Sequence, residues 1–257
     1  DGAALRDKDI PVIHDLAGVG QNLQDHLQAR PVFKTTASTI NVETRYPLQR
    51  VRMALQYGLS RRGPMAMAAS LGTGFLKTRP ELETPDIQFH IQPFSADRPG
   101  AGTHPFSAFT ASVLQLRPQS TGHLALKSSS PDDYIGIHPN YLSAQTDRDT
   151  IVAGVRMARK ICRAEPVRSL ITEEYAPGSF VPDDDAAILE WVRNTATTIY
   201  HPTGTCKMGT DSMAVVDPRL RVHGIEGLRV ADASIMPVIT SGNTNAPAMM
   251  IGEKASE

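Results

Sequence analysis

Two cysteines, Cys162 and Cys206, are all that 257 residues contain. That excludes a disulfide framework as the source of stability and makes a reducing compartment the default, with a single bridge left open. Aromatic residues make up only 5%, so a cage of rings around a quaternary ammonium has little to draw on. Neither sign of charge prevails: 26 Lys and Arg face 27 Asp and Glu, a net charge of -1. This leaves no electrostatic case for nucleic acid or an anionic membrane as partner. No apolar run approaches the length of a membrane span, and no charged-then-apolar leader opens the chain. The first residues, "DGAALRDKDIPVIHDL", lack a methionine and read as the middle of a helix running into a strand, as in a fragment of something longer.

A 40% hydrophobic chain of this length can bury a sizeable core, as one large domain or two small ones. "AALRDKDI" suits a short helix and "PVIHDL" a strand. "ARPVFKTT" alternates as a strand does. Leu48, Val51, Met53, Leu55 and Leu59 predict a helix over 47–59, with Pro47 in its first turn. The stretch 60–78, rich in Gly, Ala and Met, reads as a loop beside a ligand. Ile87, Phe89 and Ile91 alternate with Gln88, His90 and Gln92, a half-buried strand. "FSAFTASVLQLRP" and "GHLALKSS" suggest two further strands around "PQSTG", hence a mostly antiparallel sheet. Helices are expected over 147–164 and 183–197, each with acidic residues at its start. "GLRVADASIMP" reads as a buried strand ending in a turn, and "NTNAPAMMIGEKASE" as a helix with Pro247 in its first turn. The fold class is α+β, a mostly antiparallel sheet with flanking helices.

Three stretches carry candidate chemistry. "AGVGQNLQDH" has Gly18 and Gly20 but Leu23 where a dinucleotide fingerprint needs a third glycine, so a turn with Asn22 and Asp25 bonding backbone is the better reading. His201, Cys206 and Met208 are possible copper ligands, but their order does not match such sites, and Cys206 reads as a small buried residue. Most of the eight histidines suit structural roles, and His104 and His138 precede proline just as His201 does. His201 stands out by its surroundings, a Gly-Thr turn after it and the segment 228–257 to face. There "SGNTN" precedes a helix N-terminus, whose free N–H groups favour negative charge. Ser241, Thr244 or Asn245 as plain caps is the alternative.

"HPTGTCKMG", "LRVADASIMPVITSGNTNAPAMMIGEKA" and "GVGQNLQDH" together resemble the glucose–methanol–choline (GMC) family of flavin oxidoreductases, in particular its choline dehydrogenase-like alcohol dehydrogenases. The resemblance implies a protein about twice this length, with the glycine-rich FAD loop in a missing N-terminal half. It implies that 1–30 is a remnant of the FAD-binding domain, 31–200 a substrate-binding domain, and 201–257 the catalytic motif returning to a Rossmann-like FAD domain. His201 matches the family's catalytic histidine and Asn243 its second catalytic position. Asp232 and Ala233 match the strand end touching FAD. Asn243, Thr244 and Asn245 lie where the last helix nears the flavin, and Tyr200 is a substrate-pocket candidate.

The implied reaction is oxidation of a primary alcohol to an aldehyde, with His201 taking the hydroxyl proton as hydride leaves the carbon. Asn243 cannot titrate and would hold the substrate oxygen. Low aromatic content favours an apolar alcohol over choline, with a quinone, dye or oxygen as electron acceptor. A lyase on the same scaffold and an inert truncated domain are the alternatives. Cytoplasm is the default location, with peripheral attachment to an inner membrane left open.

Overall fold

The computed structural model describes residues 1–68, 70–98 and 100–257, and these divide into two compact units. The first is assembled from 1–26, 116–147 and 198–257, the second from 27–115 and 148–197.

The second unit is built on an antiparallel sheet. Its strands are β1 (Leu27–Ala29), β2 (Val32–Thr35), β3 (Gly72–Leu76), β4 (Ile87–Gln92) and β5 (Ala108–Gln115). β5 is central. One edge takes β4 along its length, while the other takes β1 and β2 in succession. The expected single strand at 29–36 is broken because Pro31 offers no N–H; its carbonyl instead accepts from Ala111 N at 2.9 Å. Between them come the short helix α2 (Ile40–Glu43) and the longer α3 (Pro47–Ser60), bounded as the periodicity predicts. The 60–78 segment is not the expected loop. It holds a 3-10 turn at Pro64–Ala66 and then β3, in which Gly72 and Gly74 alternate with Thr73 and Phe75 on a strand that pairs with β4; Ala69 lies outside the described residues.

β4 also departs from expectation. Gln88 and His90 are buried, not solvent-facing, because the strand is covered on both faces; Gln88 Nε2 donates to Thr73 Oγ1 at 3.1 Å. The hairpin β6 (His123–Ala125) and β7 (Gly136–His138), in the first unit, is a separate two-stranded sheet, so "GHLALKSS" does not extend the main one.

The long helix α4 (Gln145–Cys162) lays Ile151, Val155, Ala158 and Cys162 along one buried face. Gly154 lets it approach β5: a Cβ there would sit 2.9 Å from Val113 Cγ2. After α4 come β8 (Ile171–Ala176), which pairs with β2, then α5 (Asp185–Thr195) and the short β9 (Thr197–Thr198). Asp184 caps α5 by accepting from Ala187 N at 2.9 Å.

The first unit opens with α1 (Gly2–Arg6) and closes with α6 (Asn245–Ser256). Residues 11–16 form no strand. Its core gathers Val215, Val216, Val222, Ile235, Met236 and Ile251. The strand expected over 228–237 is absent. Only single bridges form there, such as Arg221 to Arg229, and Asp232 caps a 3-10 turn at Ala233–Ile235 by accepting from Ser234 N at 2.7 Å. A capped turn followed by Pro237 leaves no room for a ladder.

Replacing Gly154 by leucine should force α4 off β5. Overpacking costs about 1–3 kcal/mol and outweighs the roughly 1 kcal/mol gained in helix propensity. Urea denaturation should show the midpoint falling.

Candidate active site

The candidate site lies within the first unit and is built around residues 22–26, in which Asn22 turns the chain with a left-handed φ of 59°. Gln24 runs antiparallel to Thr203, N–H to carbonyl at 3.0 Å and 2.8 Å, and Ile199 N donates to His26 O at 3.1 Å. This ladder lays "NLQDH" beside "IYHPT". The amide side chains then reach a third segment. Gln24 Nε2 donates to Pro237 O at 3.1 Å, while its Oε1 accepts from Ile239 N at 3.1 Å. Asn22 Nδ2 donates to the carbonyls of Gly204 and Pro237, each at 3.3 Å. Gly204 must be glycine here: its φ is +92°, and Asn22 O occupies the space a Cβ would need.

Asp25 is buried, and its carboxylate accepts from three donors: His201 N at 2.9 Å, Thr198 Oγ1 at 2.5 Å and the Tyr141 hydroxyl. Burial, then the hydrogen bond to Asp25 and its charge, push the Tyr141 phenol far above its ordinary range, so it stays protonated and donates. Tyr200 turns the chain between Thr198 and His201. It adopts a left-handed φ of 63°, held by its N–H on Thr198 Oγ1 at 2.8 Å, and its own side chain is exposed.

The His201 ring is buried, with Nε2 3.3 Å from Asn243 Nδ2 and Nδ1 3.0 Å from His26 Nδ1. His26 is fully buried, and its Nε2 lies 3.0 Å from Leu116 O. The chemistry of these partners selects one arrangement of protons. A carbonyl only accepts, so His26 Nε2 carries a hydrogen. One proton lies between the two Nδ1 atoms. On His26 it would make a cation of a fully buried ring; on His201 it leaves both rings neutral. The second placement also leaves His201 Nε2 bare, which the Asn243 N–H facing it requires. The donor chain therefore runs Asn243 to His201 to His26 to Leu116 O. Burial, opposed by the Asp25 charge, holds His201 below the ordinary histidine range.

The remaining candidates surround this pair unevenly. Asn243 and Asn245 are exposed; Thr244 is buried at the N-cap of α6, but its side chain makes no cap bond. Thr240 Oγ1 is buried with no hydrogen-bond partner among the described residues. Val238, Met249 and Met250 expose apolar side chains nearby in the sequence. Asp232 is exposed, and Ala233 packs on the core cluster. Cys206 also packs there, and burial raises its thiol. No group of three or more metal-ligating side chains forms among the described residues. Sequence reasoning missed His26, Asp25 and Tyr141 as parts of the site. The available signal was "QDH", two consecutive titratable residues closing a polar stretch.

A family model described as GMC oxidoreductase matches residues 118–252, which include His201 and Asn243. The chain belongs to the GMC oxidoreductase family. It is 39% identical over 256 residues to an alcohol dehydrogenase [acceptor] of Pseudomonas putida, covering 99% of this chain and 46% of that protein. It is 42% identical over 255 residues to the mitochondrial choline dehydrogenase of Mus musculus, covering 98% and 43%. The chain thus spans a little under half the length of these curated relatives. Among solved structures, a formate oxidase of Aspergillus oryzae RIB40, studied for FAD modification, superposes with a TM-score of 0.88 at 26% identity, covering 99% of this chain and 49% of that one. A fungal aryl-alcohol oxidase superposes with a TM-score of 0.82 at 25% identity, covering 99% and 50%.

Two outcomes follow from the geometry. Asp25→Asn presents an NH2 to groups that all donate, and should cost about 1–3 kcal/mol in urea denaturation. It also removes the charge that raises His201, so NMR titration should find that imidazole titrating lower still. His26→Leu leaves His201 Nδ1–H without its acceptor, whereas His26→Asn keeps an oxygen near the same place. Long-range 1H–15N spectra should show His201 as the Nδ1–H tautomer in the wild type and the Asn variant, and as the Nε2–H form in the Leu variant.

Proposed function

We propose that this chain carries the proton-accepting part of an FAD-dependent alcohol oxidoreductase that converts a primary alcohol to an aldehyde. The observation that carries the reading is His201 Nε2 facing the Asn243 amide nitrogen at 3.3 Å, the arrangement that leaves this Nε2 without a hydrogen. A substrate hydroxyl entering there breaks its O–H bond as the Nε2–H bond forms. The carbinol carbon becomes a better hydride donor as that proton leaves. Asn243 donates to the substrate oxygen, stabilising its growing negative charge and fixing the angle of the C–H bond. His26 accepts from His201 Nδ1 throughout, and that bond strengthens as His201 becomes imidazolium.

FAD, when bound, supplies the hydride acceptor. The residues present fit it: a buried hydroxyl at Thr240 with no partner among the described residues, exposed apolar side chains at Val238, Met249 and Met250, and the N-terminus of α6 with no side-chain cap. Asn243, Thr244 and Asn245 would meet the ring system, with Asp232 and Ala233 toward the rest of the cofactor. Tyr200, exposed beside His201, would line the substrate pocket. On this reading the first unit contains the last elements of a Rossmann-like FAD domain. An apolar alcohol is the preferred substrate class, given how few aromatic rings the chain offers an ammonium, and an external acceptor completes turnover.

Anaerobic addition of a short aliphatic alcohol to the FAD-loaded enzyme should bleach the flavin, and choline should do so less well. His201→Gln should slow bleaching by about 10²- to 10⁴-fold. The base works only when neutral and is held below the ordinary value of about 6.5. The rate should therefore be retained at neutral pH and lost on acidification through a limb below that value. A flavin that no alcohol bleaches would contradict the redox reading and favour a lyase.

A further inference from the structure

The Asn243 amide must keep one place to face His201, and the chain just before it is poorly suited to hold it there. Gly242 takes a φ of +150°, a conformation open to glycine but reached at a larger entropic cost than any other residue bears on ordering. Gly242 N donates to Thr240 O at 2.9 Å, a turn of three residues. The Gln24 side chain fixes Pro237 and Ile239, upstream of that turn. Thr244, downstream, makes no side-chain cap bond.

Ser241 supplies a further tie. Arg117 Nη1 donates to Ser241 Oγ at 3.2 Å. Arg117 follows Leu116, whose carbonyl accepts from His26 Nε2 at 3.0 Å. Two adjacent residues thus carry both holds: the Leu116 carbonyl serves His201 through His26, and the Arg117 guanidinium serves Asn243 through Ser241. The contacts close a ring. It runs from Leu116 O to His26, from His26 Nδ1 to His201 Nδ1 at 3.0 Å, and from His201 Nε2 to Asn243 Nδ2 at 3.3 Å. It returns along the chain through Gly242 to Ser241, and from there to Arg117. Every member belongs to the first unit. The tie joins residues of one unit and calls for no outside occupant. Arginine suits the place. Its guanidinium stays charged, donates and never accepts, so the Ser241 hydroxyl can only be its acceptor, and the charge strengthens the bond.

We infer that Arg117 is a positioning residue for the proposed reaction: through Ser241 it holds Asn243 against His201, so that the amide meets the substrate oxygen as charge develops there. The inference rests on the reading of His201 as base and Asn243 as donor to that oxygen. Arg117 acts through Ser241, not on the substrate.

The test compares the FAD-loaded enzyme with Ser241→Ala, Ser241→Thr, Arg117→Met and the double variant Ser241→Ala, Arg117→Met. Ser241→Ala removes the acceptor and leaves the Arg117 charge in place, whereas Ser241→Thr keeps a hydroxyl. Anaerobic bleaching of the flavin at saturating alcohol should slow by about 10- to 100-fold in either single variant that breaks the bond. Half-saturation should change little, because the lost interaction belongs to the transition state. The double variant should be no slower than the worse single one, since both changes remove the same bond. Ser241→Thr should recover most of the rate. NMR titration of His201 gives a readout that needs no turnover. An amide donating to Nε2 favours the neutral ring, so its loss in Ser241→Ala should move the titration upward. The Nδ1–H tautomer, set by His26, should stay. His26, Asp25 and Tyr141, the titratable groups about His201, are unchanged in every variant. Flavin content and far-UV circular dichroism should match the wild type, Ser241 being small and exposed. A Ser241→Ala variant with wild-type rate and titration would overturn the inference, and so would slowing that multiplies in the double variant. If no alcohol bleaches even the wild type, the reaction proposed at His201 fails, and the titration alone decides whether the tie exists.

Discussion

The carboxylate of Asp25 is the constraint on which the site depends. It is buried, only accepts hydrogen bonds, and meets three donors from two parts of the chain: Tyr141, Thr198 and the backbone of His201. A buried carboxylate without donors would be expensive, so those groups must converge on it. Their convergence turns Tyr200 into a left-handed conformation and presents the His201 ring to Asn243. The amides of Asn22 and Gln24, from the same short stretch, fix the chain at 237–239 that leads into the Asn243 loop. His201 and Asn243, the pair proposed to react, are therefore held by a short segment distant in sequence. Preorganisation of this kind is what makes a base effective.

His26 completes that logic. A histidine base is useful only if the nitrogen facing the substrate is the one without a hydrogen. The order of protons at the candidate site is set from its far end, where Leu116 offers only a carbonyl. No charged partner is needed for this order, and the buried pair carries no cation.

Much of the scaffold was legible in the sequence. The helical periodicity at 47–59 and 147–164 and the proline in the first turn of the last helix identified α3, α4 and α6 within a few residues. The errors have physical causes. Gln88 and His90 looked solvent-facing because alternation assumes one wet face, whereas β4 is covered on both. Residues 228–237 looked like a strand because they are apolar, but Asp232 caps a turn there instead. His201 and Asn243 were singled out by resemblance to a family, since nothing in 42 residues of separation reveals a contact. Asp25 and His26 read as parts of an ordinary turn. Asn22 and Asp25 do bond backbone as that reading proposed, yet those bonds are what assemble the candidate site.

The most direct test of the central claim is a crystal structure of the FAD-loaded enzyme with an unreactive alcohol analogue bound. The account predicts the analogue's oxygen within hydrogen-bond distance of both His201 Nε2 and Asn243 Nδ2, with the His201 Nδ1 to His26 Nδ1 contact intact. An oxygen held by other groups, with His201 Nε2 still closed against Asn243, would contradict it.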